Sequence, residues 1–139
     1  MANIQGLRIV VAEDDDLNLF IIMKTLQHAD HIGIEFPDGH LAWEYLYAHP
    51  TEVDIVILDK MMIQMHGLEV VQHMKGHPTL KNIPIIIQSG DAFPDKIKEA
   101  VDTGIDSYIT KPFEGFQLLE VINEVAKQYN LGNNIKNPG

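Results

Sequence analysis

Five short apolar runs divide this sequence, and a longer stretch of helical periodicity follows each one. The runs are Leu7–Ala12, Ile32–Phe36, Asp54–Leu58, Pro84–Gln88 and Asp106–Thr110, the fourth carrying three consecutive isoleucines. Runs of this length, rich in β-branched residues and bounded by acids, proline or glycine, read as strands. Strands apolar almost throughout are buried on both faces, which calls for a parallel sheet with helices on each side. The expected fold is therefore α/β, a five-stranded parallel sheet wound in both directions.

The intervening stretches supply the helices. Leu17–His28 carries an apolar stripe at Leu19, Ile22, Met23 and Leu26. Asp38 is placed to cap a helix with Ala42, Trp43 and Leu46 inside, and His49-Pro50 stops it. Leu68–Lys75 buries Val70, Val71 and Met74, and Asp95–Thr103 is expected to turn Ile97, Ala100 and Val101 inward before Gly104 closes it. Glu114–Tyr129 presents Leu118, Leu119, Ile122 and Val125. Residues 130–139 are polar and read as a frayed tail, which leaves 1–129 as the single folded domain.

Charge narrows the function. Ten basic residues stand against 20 acidic ones, a formal net of −10. That balance disfavours the phosphate backbone of nucleic acids and anionic membrane surfaces. The longest apolar runs are far short of the roughly 20 residues a spanning helix needs. Residues 1–5 lack a basic stretch followed by an apolar one, so no secretion signal is expected and a cytoplasmic location is the default. The absence of cysteine excludes disulfides, thiolate metal sites and a cysteine nucleophile.

In parallel sheets of this kind, chemistry collects at the carboxyl ends of the strands. The first run ends in Glu13-Asp14-Asp15-Asp16, the third in Asp59, the fourth in Gln88-Ser89-Gly90 and the fifth in Thr110-Lys111-Pro112. Carboxylates gathered in one cleft repel and raise each other's pKa. A hard divalent cation resolves that conflict, and magnesium takes its ligands from one or two carboxylates, water and phosphate. Three carboxylates, one magnesium and one lysine sum to zero formal charge, a site poised to accept a phosphoryl group.

These motifs resemble the response-regulator receiver domain, in particular its stand-alone chemotaxis type. The matching segments are Ile9–Asp14, Asp54–Asp59 with Gly67 after it, Pro84–Gly90 and Asp106–Phe113. The intervals are 45 positions from Asp14 to Asp59, 30 on to Ser89 and 22 on to Lys111. One such motif is weak, whereas four in order at strand ends are specific, and the likeness covers residues 6 to 129. It implies the strand order 2-1-3-4-5 and a set of roles. Asp59 would accept a phosphoryl group from a phosphohistidine on a histidine kinase or phosphotransfer protein. Glu13, Asp14 and Asp59 would hold Mg2+ together with the backbone carbonyl of Met61. Lys111 would pair with Asp59 or a phosphoryl oxygen, and Ser89 would move to the phosphoryl group with Tyr108 turning inward after it. Gly90 would leave room beside that group, and Lys111-Pro112 would be cis. Output would pass to a protein target, of unknown identity, through the fourth helix, fifth strand and fifth helix, a face that a homodimer would also use.

Three positions depart from the family pattern: Ile63 where proline is usual, Gln64 where glycine is common, and His66 where Asp commonly precedes the loop glycine. All three lie in the loop after Asp59, so they bear on its conformation and partner contact and leave the chemistry intact. Asp15 and Asp16 read as helix-start residues. Seven histidines lie between positions 28 and 77, and Gly76 and Pro78 interrupt the His73/His77 pair, which favours scattered surface histidines over a zinc site. Met61, Met62 and Met65 suit either core filling or an adaptable recognition surface.

Other readings fare less well. A haloacid-dehalogenase-type phosphatase needs a second Asp two residues after the nucleophile, and Met61 stands there. A flavin-binding flavodoxin-like module needs a phosphate loop rich in Ser, Thr and Gly, whereas Glu13–Asp16 would repel phosphate. A degenerate receiver used only for binding is disfavoured by a complete site. With about ten residues beyond the last helix, the expectation is a receiver with no attached output domain.

Overall fold

A computed structural model describes residues 4–132 of the chain. The expected tail therefore lies almost wholly outside the described residues. The elements alternate as β1 (Arg8–Ala12), α1 (Asp16–His28), β2 (Ile32–Phe36), α2 (Gly39–Ala48), β3 (Ile55–Asp59), α3 (Gly67–Lys75), β4 (Ile85–Ser89), α4 (Pro94–Val101), β5 (Ser107–Thr110) and α5 (Gly115–Gln128), with one 3-10 turn at Leu80–Asn82. All strand pairs are parallel, and the order across the sheet is β2-β1-β3-β4-β5. This is the expected doubly wound α/β architecture.

The pleat divides the apolar runs between two cores. Ile9 and Val11 of β1, Ile55 and Ile57 of β3, and Ile86 of β4 pack with Ile22 and Leu26 of α1 and Leu118 and Ile122 of α5. The alternate positions, Val10, Val56, Leu58, Ile85 and Ile87, pack with Leu46 of α2, Val70 and Met74 of α3, and Ala100 of α4. Three consecutive isoleucines are thus what a central strand between two apolar layers requires. β2 is different. As the sheet's edge it leaves Ile32 exposed and buries none of its five residues, so the expectation of burial on both faces fails there.

Local chemistry sets the element ends. Asp15 caps α1 by accepting from the N–H groups of Leu17 and Asn18, and Asp38 caps α2 through the Leu41 N–H. Gly104, at φ 100°, makes the left-handed turn after α4 that a side chain would strain. Val101, expected inside α4, is instead exposed. α4 is short and covers the sheet through Ala100, which leaves Val101 facing outward.

The histidines are not all superficial. His31 is buried and accepts a hydrogen bond from the Leu7 N–H at 3.2 Å, and burial lowers its pKa. His73 stacks on Trp43 at 4.9 Å, and His77 accepts from the N–H groups of Thr79 and Leu80 through Nδ1. Both rings are thereby occupied in packing and turn formation.

Candidate functional site

The alternation that builds the core also builds the site. Continuing the α1/α5-facing rows past the last apolar residue gives Glu13 after Ile9 and Val11, Asp59 after Ile55 and Ile57, Gln88 after Ile86, and Lys111 after Ile109. Asp59 and Gln88 are direct register partners across β3 and β4. The four polar residues therefore top one face of the sheet at its carboxyl edge, where α1 and α5 converge.

Lys111 Nζ lies 3.3 Å from Asp59 Oδ1 and 3.4 Å from Glu13 Oε1. Glu13 is 1% exposed and Asp59 5% exposed, so both carboxylates are largely removed from water. Oxygens of Glu13, Asp14 and Asp59 lie within 4.8 Å of one another, a cluster assembled from β1, its following turn and the end of β3. Burial, and then the neighbouring Glu13, push the Asp59 carboxyl up from its ordinary 3.8 to about 7, against the pull of Lys111. For Lys111, burial lowers the ammonium pKa, but Asp59 and Glu13 outweigh it and the net direction is upward. A small cation taking oxygen ligands fits this donor set: three convergent carboxylates, mostly buried, one of them pushed up to about 7 by burial and a like charge.

The expected site residues come together with one division. Glu13, Asp14, Asp59 and Lys111 form the cluster just described. Ser89 and Tyr108 lie on the opposite parity, toward α4. Ser89 is buried, and its Oγ accepts from the Asp91 N–H at 3.0 Å. The Tyr108 hydroxyl donates to the Asp91 carbonyl at 2.7 Å, so both grip the same turn between β4 and α4. At Gly90 an added Cβ would meet nothing within 4 Å, so the space beside Ser89 is open. Lys111-Pro112 is cis, as expected. Met61 follows in the loop after β3 with its side chain exposed.

That loop also accounts for the three unusual residues. Met62 N–H donates to His66 Nδ1 at 3.2 Å, and the His66 N–H donates to Glu69 Oε1 at 2.9 Å. The imidazole takes the acceptor part that a carboxylate would play, with its own N–H on Nε2. The Gln64 carbonyl accepts from the N–H groups of Gly39 and His40 at the start of α2. Met65 takes a left-handed turn at φ 59°, and Ile63 is exposed. At Gly67 the backbone passes so close to the Asp59 carbonyl oxygen that a Cβ would collide with it. The chain thus closes the loop with different residues and still returns to Asp59.

Sequence reasoning missed three residues here. Asn18, in the first turn of α1, donates through Nδ2 to Glu13 Oε1 at 2.6 Å and to Gln88 Oε1 at 2.9 Å. Gln88 is fully buried in a run that is otherwise isoleucine. A polar residue on an apolar face was the available signal. Lys60 is buried beside Asp59, with Nζ 3.8 Å from Asp91 Oδ2. Nothing in a single lysine after a strand announces that.

Comparison with known proteins places this arrangement. The family model described as the response regulator receiver domain matches residues 9–123. The heme response regulator HssR of Staphylococcus saprophyticus is 35% identical over 126 residues, covering 90% of this chain and 54% of HssR. Among solved structures, the phosphorylated cyanobacterial phytochrome response regulator RcpA superposes with TM-score 0.72 at 26% identity, covering 90% of this chain and 94% of that one. The receiver domain of the sensor histidine kinase PA1611 from Pseudomonas aeruginosa, solved with a magnesium ion in its active-site cleft, gives TM-score 0.79 at 20% identity over 88% of this chain and 98% of its own. The chain belongs to the response-regulator receiver domain family of two-component signalling. It spans between 15% and 54% of the length of the curated relatives it matches. No helix among the described residues is long and apolar enough to cross a membrane.

Proposed function

We propose that this receiver is a phosphorylation switch in which Asp59 accepts a phosphoryl group from a phosphohistidine of a histidine kinase or phosphotransfer protein. The observation that carries the reading is the Asp59 carboxylate, buried at the sheet's carboxyl edge between Lys111 and the Glu13/Asp14 acids. An Asp59 oxygen attacks phosphorus, the P–O bond forms, and the P–N bond breaks as the imidazole leaves with a proton. Asp59 must be ionised to attack, yet its site alone holds it half-protonated near pH 7. Glu13, Asp14, Asp59 and the Met61 carbonyl would hold Mg2+, which when bound would supply positive charge that favours the ionised Asp59 and offsets charge on the phosphoryl oxygens. Lys111 Nζ stands 3.3 Å from Asp59 Oδ1, within reach of an oxygen attached there.

The output follows from the second face. If Ser89 turns its Oγ toward the phosphoryl group, it releases the Asp91 N–H, and the turn that Tyr108 also holds is free to shift. Tyr108 couples that shift to the face formed by α4, β5 and α5, where Phe93 and Val101 are exposed to a protein target or a second copy. The donor approaches from the other side. Exposed Leu17 and Ile21 of α1 border a cavity of about 340 Å³ that Lys111 and Pro112 also line. A hydrolase reading lacks its general acid, because Met61 carries no proton to give. A cytoplasmic location is also part of this proposal.

The test is intact-mass measurement after incubation with acetyl phosphate and Mg2+. One acid-stable, base-labile phosphoryl adduct is expected, and none on Asp59→Asn. An adduct that survives in Asp59→Asn, or no adduct on the unaltered protein, refutes the assignment.

A further inference from the structure

Gln88 is a fully buried amide that follows three buried isoleucines in β4. Its Oε1 accepts from Asn18 Nδ2 at 2.9 Å, while its Nε2 is buried with no hydrogen-bond partner among the described residues. The orientation is not arbitrary. Glu13 is acceptor-only when ionised, so the Asn18 group facing Glu13 Oε1 at 2.6 Å must be the amide nitrogen. The second hydrogen of that nitrogen then requires an acceptor, which fixes Oε1 of Gln88 toward Asn18 and leaves Nε2 as the spare donor. An ordered chain runs Glu13–Asn18–Gln88, and the register pairing sets Gln88 beside Asp59 on the same face of the sheet.

A buried, unpaired N–H is unfavourable for the folded protein, and an apolar residue would avoid it. Gln88 has no such need in the core, since Ile86 and Ile87 fill the positions before it. We propose that Gln88 is a positioning residue of the phosphoryl site. Through Asn18 it holds Glu13 in the orientation that faces the cation. Its Nε2 is held in reserve for an oxygen acceptor that enters the cluster when the site is loaded. That acceptor is either a water that enters with the cation or an oxygen of the phosphoryl group; both present a lone pair to an N–H. The inference rests on the proposed function above.

The experiment uses Gln88→Met, which keeps length and volume while removing both hydrogen-bonding groups. Melting temperature is measured without metal, and Mg2+ affinity by calorimetry, with and without beryllium fluoride as a tetrahedral phosphoryl mimic. The metal-free variant should melt no lower than the unaltered protein, and its Mg2+ affinity should fall about tenfold, the scale for partners that orient a metal's ligands. A loss already present with Mg2+ alone assigns the acceptor to water; a loss seen only with beryllium fluoride assigns it to the phosphoryl oxygen. Unchanged affinity in both arms overturns the proposal, as does a lower metal-free melting temperature, which would make the amide a structural group. Asn18→Ala supplies the second test: combined with Gln88→Met it should weaken Mg2+ no more than the stronger single change, and additive losses overturn the chain through Asn18. Failure of the unaltered protein to bind Mg2+ or the mimic would instead remove the proposed function itself.

Discussion

Without metal, this protein should lose stability as pH rises from about 4 to 7, and Asp59 should be the cause. Its carboxyl is pushed up from 3.8 to about 7 in the folded chain by burial and by Glu13. Between those values the folded state keeps a proton that the unfolded state has released. Stability then falls with pH, the reverse of the usual Asp, because the native state binds more protons. One pKa unit corresponds to about 1.4 kcal/mol, so a shift of roughly three units sets a ceiling of about 4 kcal/mol. The observed loss should lie below that ceiling, since Lys111 can draw closer once Asp59 ionises. His31 works in the opposite sense. Burial lowers its pKa from 6.5, so the folded state binds fewer protons there and stability rises as pH climbs toward 6.5.

Urea unfolding at a series of pH values, in chelator, separates the two. Asp59→Asn removes the titrating carboxyl and leaves His31 in place. The difference between the two stability curves should be flat below pH 4, widen through pH 4–7 in favour of the variant, and level above about 7. Saturating Mg2+ should flatten the unaltered protein's curve, because the cation takes over the proton's role. Parallel curves for the two proteins without metal would refute the claim that Asp59 is destabilised in the empty cluster.

Gly67→Ala should cost about 1–3 kcal/mol in urea unfolding, since the new methyl collides with the Asp59 carbonyl and the loop must shift; no loss would mean the loop yields freely. Tyr108→Phe keeps the ring and removes the donor to the Asp91 carbonyl, so stability should fall by about 1 kcal/mol and amide exchange should speed up at residues 91–93. Unchanged exchange there would separate Tyr108 from the turn. Asp91 lies two residues beyond Ser89 and, under the proposed function, would orient hydrolytic water. Asp91→Ala should slow loss of the phosphoryl group severalfold in a time course of intact mass, and an unchanged rate would exclude that part for Asp91.

The fold was legible because its strongest signal is physical and repeated: apolar runs too short to be helices and too continuous to face water. The clustering of the candidate site was legible because its residues fall where those runs stop, which gathers Glu13, Asp59 and Lys111 at the sheet's carboxyl edge with Ser89 on the other parity. Three features were not legible, each for its own reason. Edge exposure of β2 depends on strand order, which the apolar content of Ile32–Phe36 does not encode. Val101 reads as a core residue by spacing, but a helix of only eight residues has room to bury little beyond Ala100. Lys60 owes its burial to the path of two loops, 59–67 and 89–94, and no local pattern predicts how loops lie against each other. The His66 loop shows the converse: a motif can lose its usual residues and keep its shape when another side chain supplies the same acceptor.

Two groups in the site oppose folding. Burial and Glu13 push the Asp59 carboxyl up to about 7, and Gln88 buries an N–H that has no acceptor among the described residues. Neither is explained by the core, because each continues a strand row in which isoleucine or valine would pack without penalty. Under the proposed function both would be relieved by the same event, the arrival of a cation with its oxygen ligands. A cluster stabilised by its own side chains would have little to gain from that arrival, since a ligand shifts an equilibrium only by its differential interaction with the two states. On that reading, Asp59 and Gln88 would make loading the site worth more than filling a cavity. Under the proposed function the response would start on the other parity of β4 and β5, where Ser89 and Tyr108 both hold the Asp91 turn and one change of partner at Ser89 would release it.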